Sequence, residues 1–158
     1  MKIARVTLSD RASAGVYEDR SGPEIERVLG TLGIEAAEWL RVLIPDDQPT
    51  IESTLRRLCD QDACELILTT GGTGPAPRDV TPEATRAILD RELPGFGEIM
   101  RVQSFARVPT SILSRSTAGT RGRTLIVNLP GNPKAIGECL PLITPAILEA
   151  LRHLSGNS

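Results

Sequence analysis

Three closely spaced glycines, a threonine and two aspartates carry most of the chemistry legible in this chain of 158 residues. Gly71, Gly72, Thr73 and Gly74 follow an apolar run and precede Pro75, Pro77 and the pair Arg78-Asp79. Glycines without a Cβ can turn their N–H groups onto an anion, and a threonine adds a hydroxyl donor. The two prolines stiffen the far side of the loop and lower the cost of ordering it around a ligand. The pattern is neither GxxxxGK[ST] nor GxGxxG, so it stands outside the two common phosphate fingerprints. A tight strand-to-helix turn that binds nothing would use the same residues.

Asp46 and Asp79 are the acids to set beside that loop. Mg²⁺ takes one or two protein carboxylates and fills its shell with water and substrate phosphates. A lone aspartate more often caps a helix or closes an Asx-turn, and capping is the ordinary role for Asp10 and Asp47. Position near the glycines favours a metal role for Asp46 and Asp79. His153 is the single histidine and lies near the end of the chain, so a Ser-His-Asp or Cys-His nucleophile would lack its base. Among the arginines at 101, 107, 115, 121 and 123, Arg115 is the candidate for reaching a ligand phosphate.

The elements that must position these residues follow from hydrophobic periodicity. KIARVTL, EWLRVLI, ELILTT and TLIVNL read as strands. Ser21 with Glu24 three residues on has capping-box spacing ahead of Ile25, Val28, Leu29 and Leu32, with Gly33 as the stop. Ile51, Leu55, Leu58 and Cys59 mark a second helix. Thr81-Pro82-Glu83 reads as an N-cap, first-turn proline and dipole-facing acid for a third helix reaching about Asp90. Pro94-Gly95 resets the chain for a helix through Met100 and Phe105. Residues 109–124 suggest a small hairpin beside the sheet. Asn132-Pro133 opens a closing helix that Pro141 and Pro145 are expected to kink or split.

Strands alternating with helices give an α/β three-layer sandwich, a mainly parallel sheet with helices on both faces, expected as one domain over residues 1–158. Parallel strands direct their carboxyl ends to one edge, where such sheets bind ligands. Ser9-Asp10, Asp46-Asp47, the glycine loop with Asp79, and Asn128 with Gly131 all follow strands. The topology alone therefore gathers them. Ser9, Asp10, Gly71, Gly72, Thr73 and Gly74 form the expected nucleotide- and phosphate-binding set.

Composition narrows the partners. A content of 40% apolar and 24% charged residues describes an ordinary soluble protein. A net charge of −2 gives no overall positive field for nucleic acid. No apolar run approaches the ~20 residues of a membrane helix, and Arg5 breaks the N-terminal stretch before a signal core could form. Cys59, Cys64 and Cys139 form no CxxC and read as reduced, half-buried residues of a cytoplasmic protein.

The blocks SDRASAGVYEDRSGP, LIPDD, LTTGGTGPAPRDVTPEAT, PGFGEIMR, ILSRSTAG and LIVNLPGNPKA together resemble the molybdopterin adenylyltransferases. These are the MogA-type bacterial enzymes and the G domains of gephyrin and its plant counterpart. The resemblance runs from Ile3 into the last helix. It implies Mg²⁺-dependent transfer of AMP from ATP to the terminal phosphate of molybdopterin, with release of pyrophosphate. It also implies a homotrimer and a MoeA-type partner that inserts molybdate. The acid of the PD turn falls on Asp46 and that of RD on Asp79, implying catalytic or metal-positioning roles. The molybdopterin-contacting positions fall on Ser104, Ser114 and Asn128, with Pro130 and Gly131 as the adjoining backbone wall. MoaB-like relatives share the fold and much of the loop, so the alternative reading is a non-catalytic molybdopterin-binding or scaffold protein.

Overall fold

A computed structural model describes residues 1–157. In chain order the elements are β1 (Lys2–Leu8), α1 (Asp10–Ser13), α2 (Ser21–Thr31), β2 (Glu38–Ile44), α3 (Gln48–Asp60), β3 (Leu66–Thr70), α4 (Thr81–Ile88), β4 (Arg91–Glu92), α5 (Gly95–Phe105), a 3₁₀ turn (Pro109–Leu113), β5 (Ala118–Arg121), β6 (Thr124–Leu129) and α6 (Pro133–Leu154). They form one six-stranded sheet of order β2-β1-β3-β6-β5-β4. β2, β1, β3 and β6 run parallel, whereas β5 pairs antiparallel with β6 and β4 antiparallel with β5. The hairpin expected near 109–124 is thus β5–β6, and it extends the sheet itself.

The two-residue period of the central strands builds a core on each face. Ile3, Leu66, Leu68, Leu125 and Val127 pack with α2, α5 and α6. Ala4, Val6, Ile67 and Ile126 face α3 and α4. All five residues of β3 are buried, as befits a strand covered on both sides. The same alternation decides the fate of Asn128. It shares a face with Ile126 and points at α4, away from the open edge.

Local chemistry sets the helix starts, although not always as the sequence suggests. Asp47 caps α3, its Oδ2 accepting from Thr50 N at 3.1 Å, and Asn132 caps α6 through Lys134 N at 2.9 Å. Ser21 and Thr81 are not caps. Each is the first helical residue, and each hydroxyl instead donates to a distant carbonyl: Ser21 Oγ to Gly131 O at 2.5 Å, Thr81 Oγ1 to Gly71 O at 2.9 Å. Both hydroxyls therefore tie helices to the ligand-facing edge. α6 also departs from expectation, running unbroken for 22 residues through Pro141 and Pro145. The prolines lie one turn apart and both are exposed, so the lost backbone bonds fall on the outer face, where water can replace them. Among the described residues no helix is long and apolar enough to cross a membrane.

Candidate functional site

Strands β1, β2, β3 and β6 deliver their carboxyl ends to one edge, and the glycine loop forms its centre. Gly71 and Gly72 have φ of +94° and +66°, the region that disfavours any side chain. A Cβ on Gly71 would lie 2.4 Å from Leu8 O, and one on Gly72 would lie 2.3 Å from Thr81 Oγ1 and 3.0 Å from Asp46 Oδ1. Gly131 approaches from the end of β6, where a Cβ would meet Gly71 Cα at 3.3 Å. Thr70 Oγ1 donates to Pro130 O at 2.7 Å and fixes that approach. The bare backbone is therefore needed both for the turn and for the meeting of two loops.

The acids flank this loop as the sequence suggests. Asp46 Oδ1 sits beside Gly72, and a Cβ on Gly74 would come within 2.8 Å of Asp79 Oδ2. Asp79 Oδ2 accepts from Ala76 N at 3.0 Å, which closes the end of the loop. Asp46 and Asp10 exchange bonds: Asp10 N donates to Asp46 Oδ2 and Asp46 N donates to Asp10 Oδ1, both at 3.0 Å. Arg78 grips both oxygens of Asp10, at 2.9 and 2.8 Å. Asp10 is accordingly a brace between the β1 and β2 loops; Ser9, whose Oγ accepts from Ala12 N, is the α1 cap.

The two coupled acids are tuned in opposite directions. The hydrogen bond from Arg78 holds the Asp10 carboxyl below its usual range. Burial pushes Asp46 upward, and the neighbouring negative charges of Asp10 and Asp79 add to that push against the Asp10 amide. Asp46 Oδ1 is buried with no hydrogen-bond partner. An orphaned carboxylate oxygen pressed by like charge is a position that a cation would satisfy. Among the described residues no group of three or more His, Cys, Asp or Glu could enclose a metal. The donors present fit a hard ion such as Mg²⁺ that draws its remaining ligands from water and substrate phosphates.

Two hollows lie on either side of the end of β6. One, of about 320 Å³, is lined by Ser9, Tyr17, Asp19, Asp46, Gly71, Gly72 and Gly131 among others. The other, of about 300 Å³, is lined by Arg101, Ser104, Ser111, Ser114, Ser116 and Pro130 among others. Pro130 lines one and its chain neighbour Gly131 the other, so this turn after β6 separates them. The structure thus brings Ser104, Ser114 and Pro130 to one hollow and Ser9, Asp46, Gly71, Gly72 and Gly131 to its neighbour. Thr73 is buried, and neither it nor Asp10, Gly74 or Asp79 lines either hollow.

Two expected ligand contacts are committed to the protein. Asn128 is 0% exposed; its Nδ2 donates to Thr69 Oγ1 and Thr85 Oγ1, both at 3.0 Å, and its Oδ1 accepts from Thr117 N. With those bonds in place it holds β3, α4 and the segment leading into β5 together and presents nothing to a pterin. Arg115, expected to reach a phosphate, donates instead to Gly74 O at 2.9 Å and Asp79 O at 2.8 Å and pairs with Glu83. His153 is exposed and far along α6, and burial pushes the Cys59 and Cys64 thiols up to about 11, so no nucleophile–base pair arises there.

Sequence reasoning missed Tyr17, Asp19 and Ser116, and it set Arg101 behind Arg115. Asp19 accepts from Thr7 Oγ1 at 2.9 Å and Gly22 N at 3.0 Å, pinning the loop that carries Tyr17. The only advance signal for the three missed residues was their presence inside the SDRASAGVYEDRSGP and ILSRSTAG blocks.

The chain matches a family model described as a probable molybdopterin binding domain over residues 4–150. It is 49% identical over 155 residues to the molybdopterin adenylyltransferase of Helicobacter pylori J99, spanning 98% of this chain and 88% of that one. It is 54% identical over 140 residues to the molybdopterin adenylyltransferase of Escherichia coli K12, spanning 89% of this chain and 72% of the relative. Among solved structures, the molybdopterin biosynthesis enzyme MoaB of Thermus thermophilus superposes with a TM-score of 0.89 at 44% identity, covering 98% and 96% of the two chains. With its paired hollows, its glycine loop and these relatives, the chain belongs to the molybdopterin-binding family that contains the molybdopterin adenylyltransferases.

Proposed function

We infer that this chain is a molybdopterin adenylyltransferase of molybdenum cofactor biosynthesis, joining AMP from ATP to the terminal phosphate of molybdopterin and releasing pyrophosphate. The near full-length kinship to enzymes of that name supports the activity. The single structural observation that carries the reading is the pair of hollows on either side of Pro130–Gly131, with Asp46 lining one of them and Asp79 at the far end of the glycine loop. Two substrates placed on opposite sides of that turn would meet over the glycine loop.

The chemistry asks little of side-chain acids and bases. A terminal phosphate oxygen of molybdopterin attacks the α-phosphorus of ATP; a new P–O bond forms as the α–β bridge breaks, and pyrophosphate leaves with the electron pair. The nucleophile is already anionic near neutral pH, so no histidine is required. The obstacle is repulsion between phosphates, and fixed dipoles plus alignment are the general remedy. The hollow beside Asp46 and the loop would take the nucleotide, with Gly71 and Gly72 offering close backbone approach. Ser104 and Ser114 would face the pterin. Asp46 and Asp79 would hold Mg²⁺, which when bound neutralises phosphate charge as a Lewis acid.

The surface supports self-association. Val102 and Ile112 are 67% and 63% exposed, and Ile99, Phe105, Val108 and Leu113 add to apolar area on α5 and the segment after it. A homotrimer burying this face is the assembly we propose, with a MoeA-type molybdate-insertion protein as the consumer of the product.

Asp79→Ala, tested with ATP, Mg²⁺ and molybdopterin, should lose pyrophosphate release while keeping its circular dichroism spectrum. Turnover at the wild-type level would refute the site. A non-catalytic pterin carrier would instead give calorimetric heat with molybdopterin and none with Mg·ATP.

A further inference from the structure

The tripeptide Ser114-Arg115-Ser116 lies between the two half-sites and is held from both directions. On the pterin side, Arg101 Nη1 donates to Ser114 O at 3.2 Å and to Ser116 O at 2.9 Å. Gly97 leaves room for this approach, because a Cβ there would sit 1.9 Å from Ser116 O. On the loop side, Arg115 N donates to Thr73 O at 2.8 Å. Its guanidinium then spans Gly74 O, Asp79 O and the Glu83 carboxylate. One residue therefore touches the middle of the glycine loop, the peptide of the acid at its end, and the helix that follows.

Such a staple answers a definite need. Each of the loop's three glycines has more backbone freedom to lose than any other residue type, and Asp79 must sit accurately if it is to meet a metal–phosphate cluster. The planar guanidinium fork reaches several acceptors at fixed angles, which an ammonium group cannot reproduce. We propose that Arg115 is a positioning residue for adenylyl transfer, fixing the glycine loop and Asp79 through their backbone and coupling them to the serines of the other hollow. This inference rests on the activity assigned above. Arg115 acts through Asp79 and touches no reacting atom.

Hydrogen–deuterium exchange on the full chain without ligands tests the mechanical half. In Arg115→Ala, the amides of residues 71–79 should exchange about tenfold faster, the worth of one charge-assisted bond, while β1 and α6 are unchanged. Kinetics test the catalytic half. The Arg115→Ala kcat should fall about 100-fold, as for a misplaced catalytic group, with a higher Mg²⁺ concentration for half-activation and an unchanged KM for molybdopterin. Arg115→Lys should not restore these values. Should Arg115→Ala fail to fold, Glu83→Gln carries the test with the same pattern at smaller amplitude. Exchange that is unchanged or uniformly faster across the chain overturns the proposal. So does a lower kcat with an unaltered Mg²⁺ requirement, which a merely structural role would give. If the wild-type protein transfers no adenylyl group, the assigned activity fails, and the exchange pattern alone decides whether Arg115 fixes the loop.

Discussion

Replacing Asp46 by asparagine should make the protein more stable and inactive together. Its Oδ1 is buried without a partner, and Asp10 and Asp79 press like charge upon it. A buried unsatisfied acceptor costs about 1–3 kcal/mol, more when charged. Asparagine keeps the oxygen that accepts from Asp10 N, with about 1 kcal/mol of that charge-assisted bond lost, and sets a neutral amide NH2, still unpartnered, in the place of Oδ1; what it relieves is the added cost of the buried charge and its repulsion from Asp10 and Asp79. The balance is a gain of about 1 kcal/mol, or about 2–4 °C in Tm for a chain of this size. The pH dependence has a fixed sign. The unfolded carboxyl ionises near about 3.9 and the folded one higher. Stability is thus fully present below that value, falls as pH rises through the raised folded value, and stays lower at neutral pH. Asp46→Asn should abolish this component. Calorimetry without divalent ions, at fixed protein concentration, measures the Tm, and pyrophosphate release measures activity. A lower Tm in the variant, or wild-type turnover, would refute the electrostatic account of the site.

Other perturbations probe separate parts of the architecture. Arg78→Ala removes a cation that lowers both Asp10 and Asp46, so the acid limb of kcat/KM should move to higher pH, less so at high salt; an unmoved limb contradicts the coupling. Gly71→Ala places a Cβ against Leu8 O at positive φ and should cost about 1–3 kcal/mol in denaturant titration, with no cost if the loop is slack. If the proposed homotrimer buries the exposed face of α5, Val102→Asp should sediment as a monomer, and an assembly that persists would assign the interface elsewhere.

The sheet and the gathering of its loops were legible because they depend on short-range pattern. Alternation in KIARVTL and TLIVNL gave strands, and the parallel topology then brought Asp46 from the end of β2 to the glycine loop that Asp79 closes. Asp47 and Asn132 read correctly as caps because each bonds an amide within three residues. The misreadings of polar residues share one cause, a partner far away in sequence. Ser21 and Thr81 resemble caps locally, yet their hydroxyls serve Gly131 and Gly71 carbonyls. Arg115 resembles a free phosphate ligand until Gly74, Asp79 and Glu83 surround it. Asn128 sits at the right end of β6, but strand parity turns it into the α4 face. Pro141 and Pro145 break no helix because both face outward.

The most direct test of the central claim follows the α-phosphate. Wild-type protein is mixed with molybdopterin, Mg²⁺ and ATP labelled at the α-phosphorus. The account predicts that label enters the pterin in step with pyrophosphate, and that Asp46→Asn and Asp79→Ala lose both together. Tight molybdopterin binding with all label remaining in ATP would contradict it.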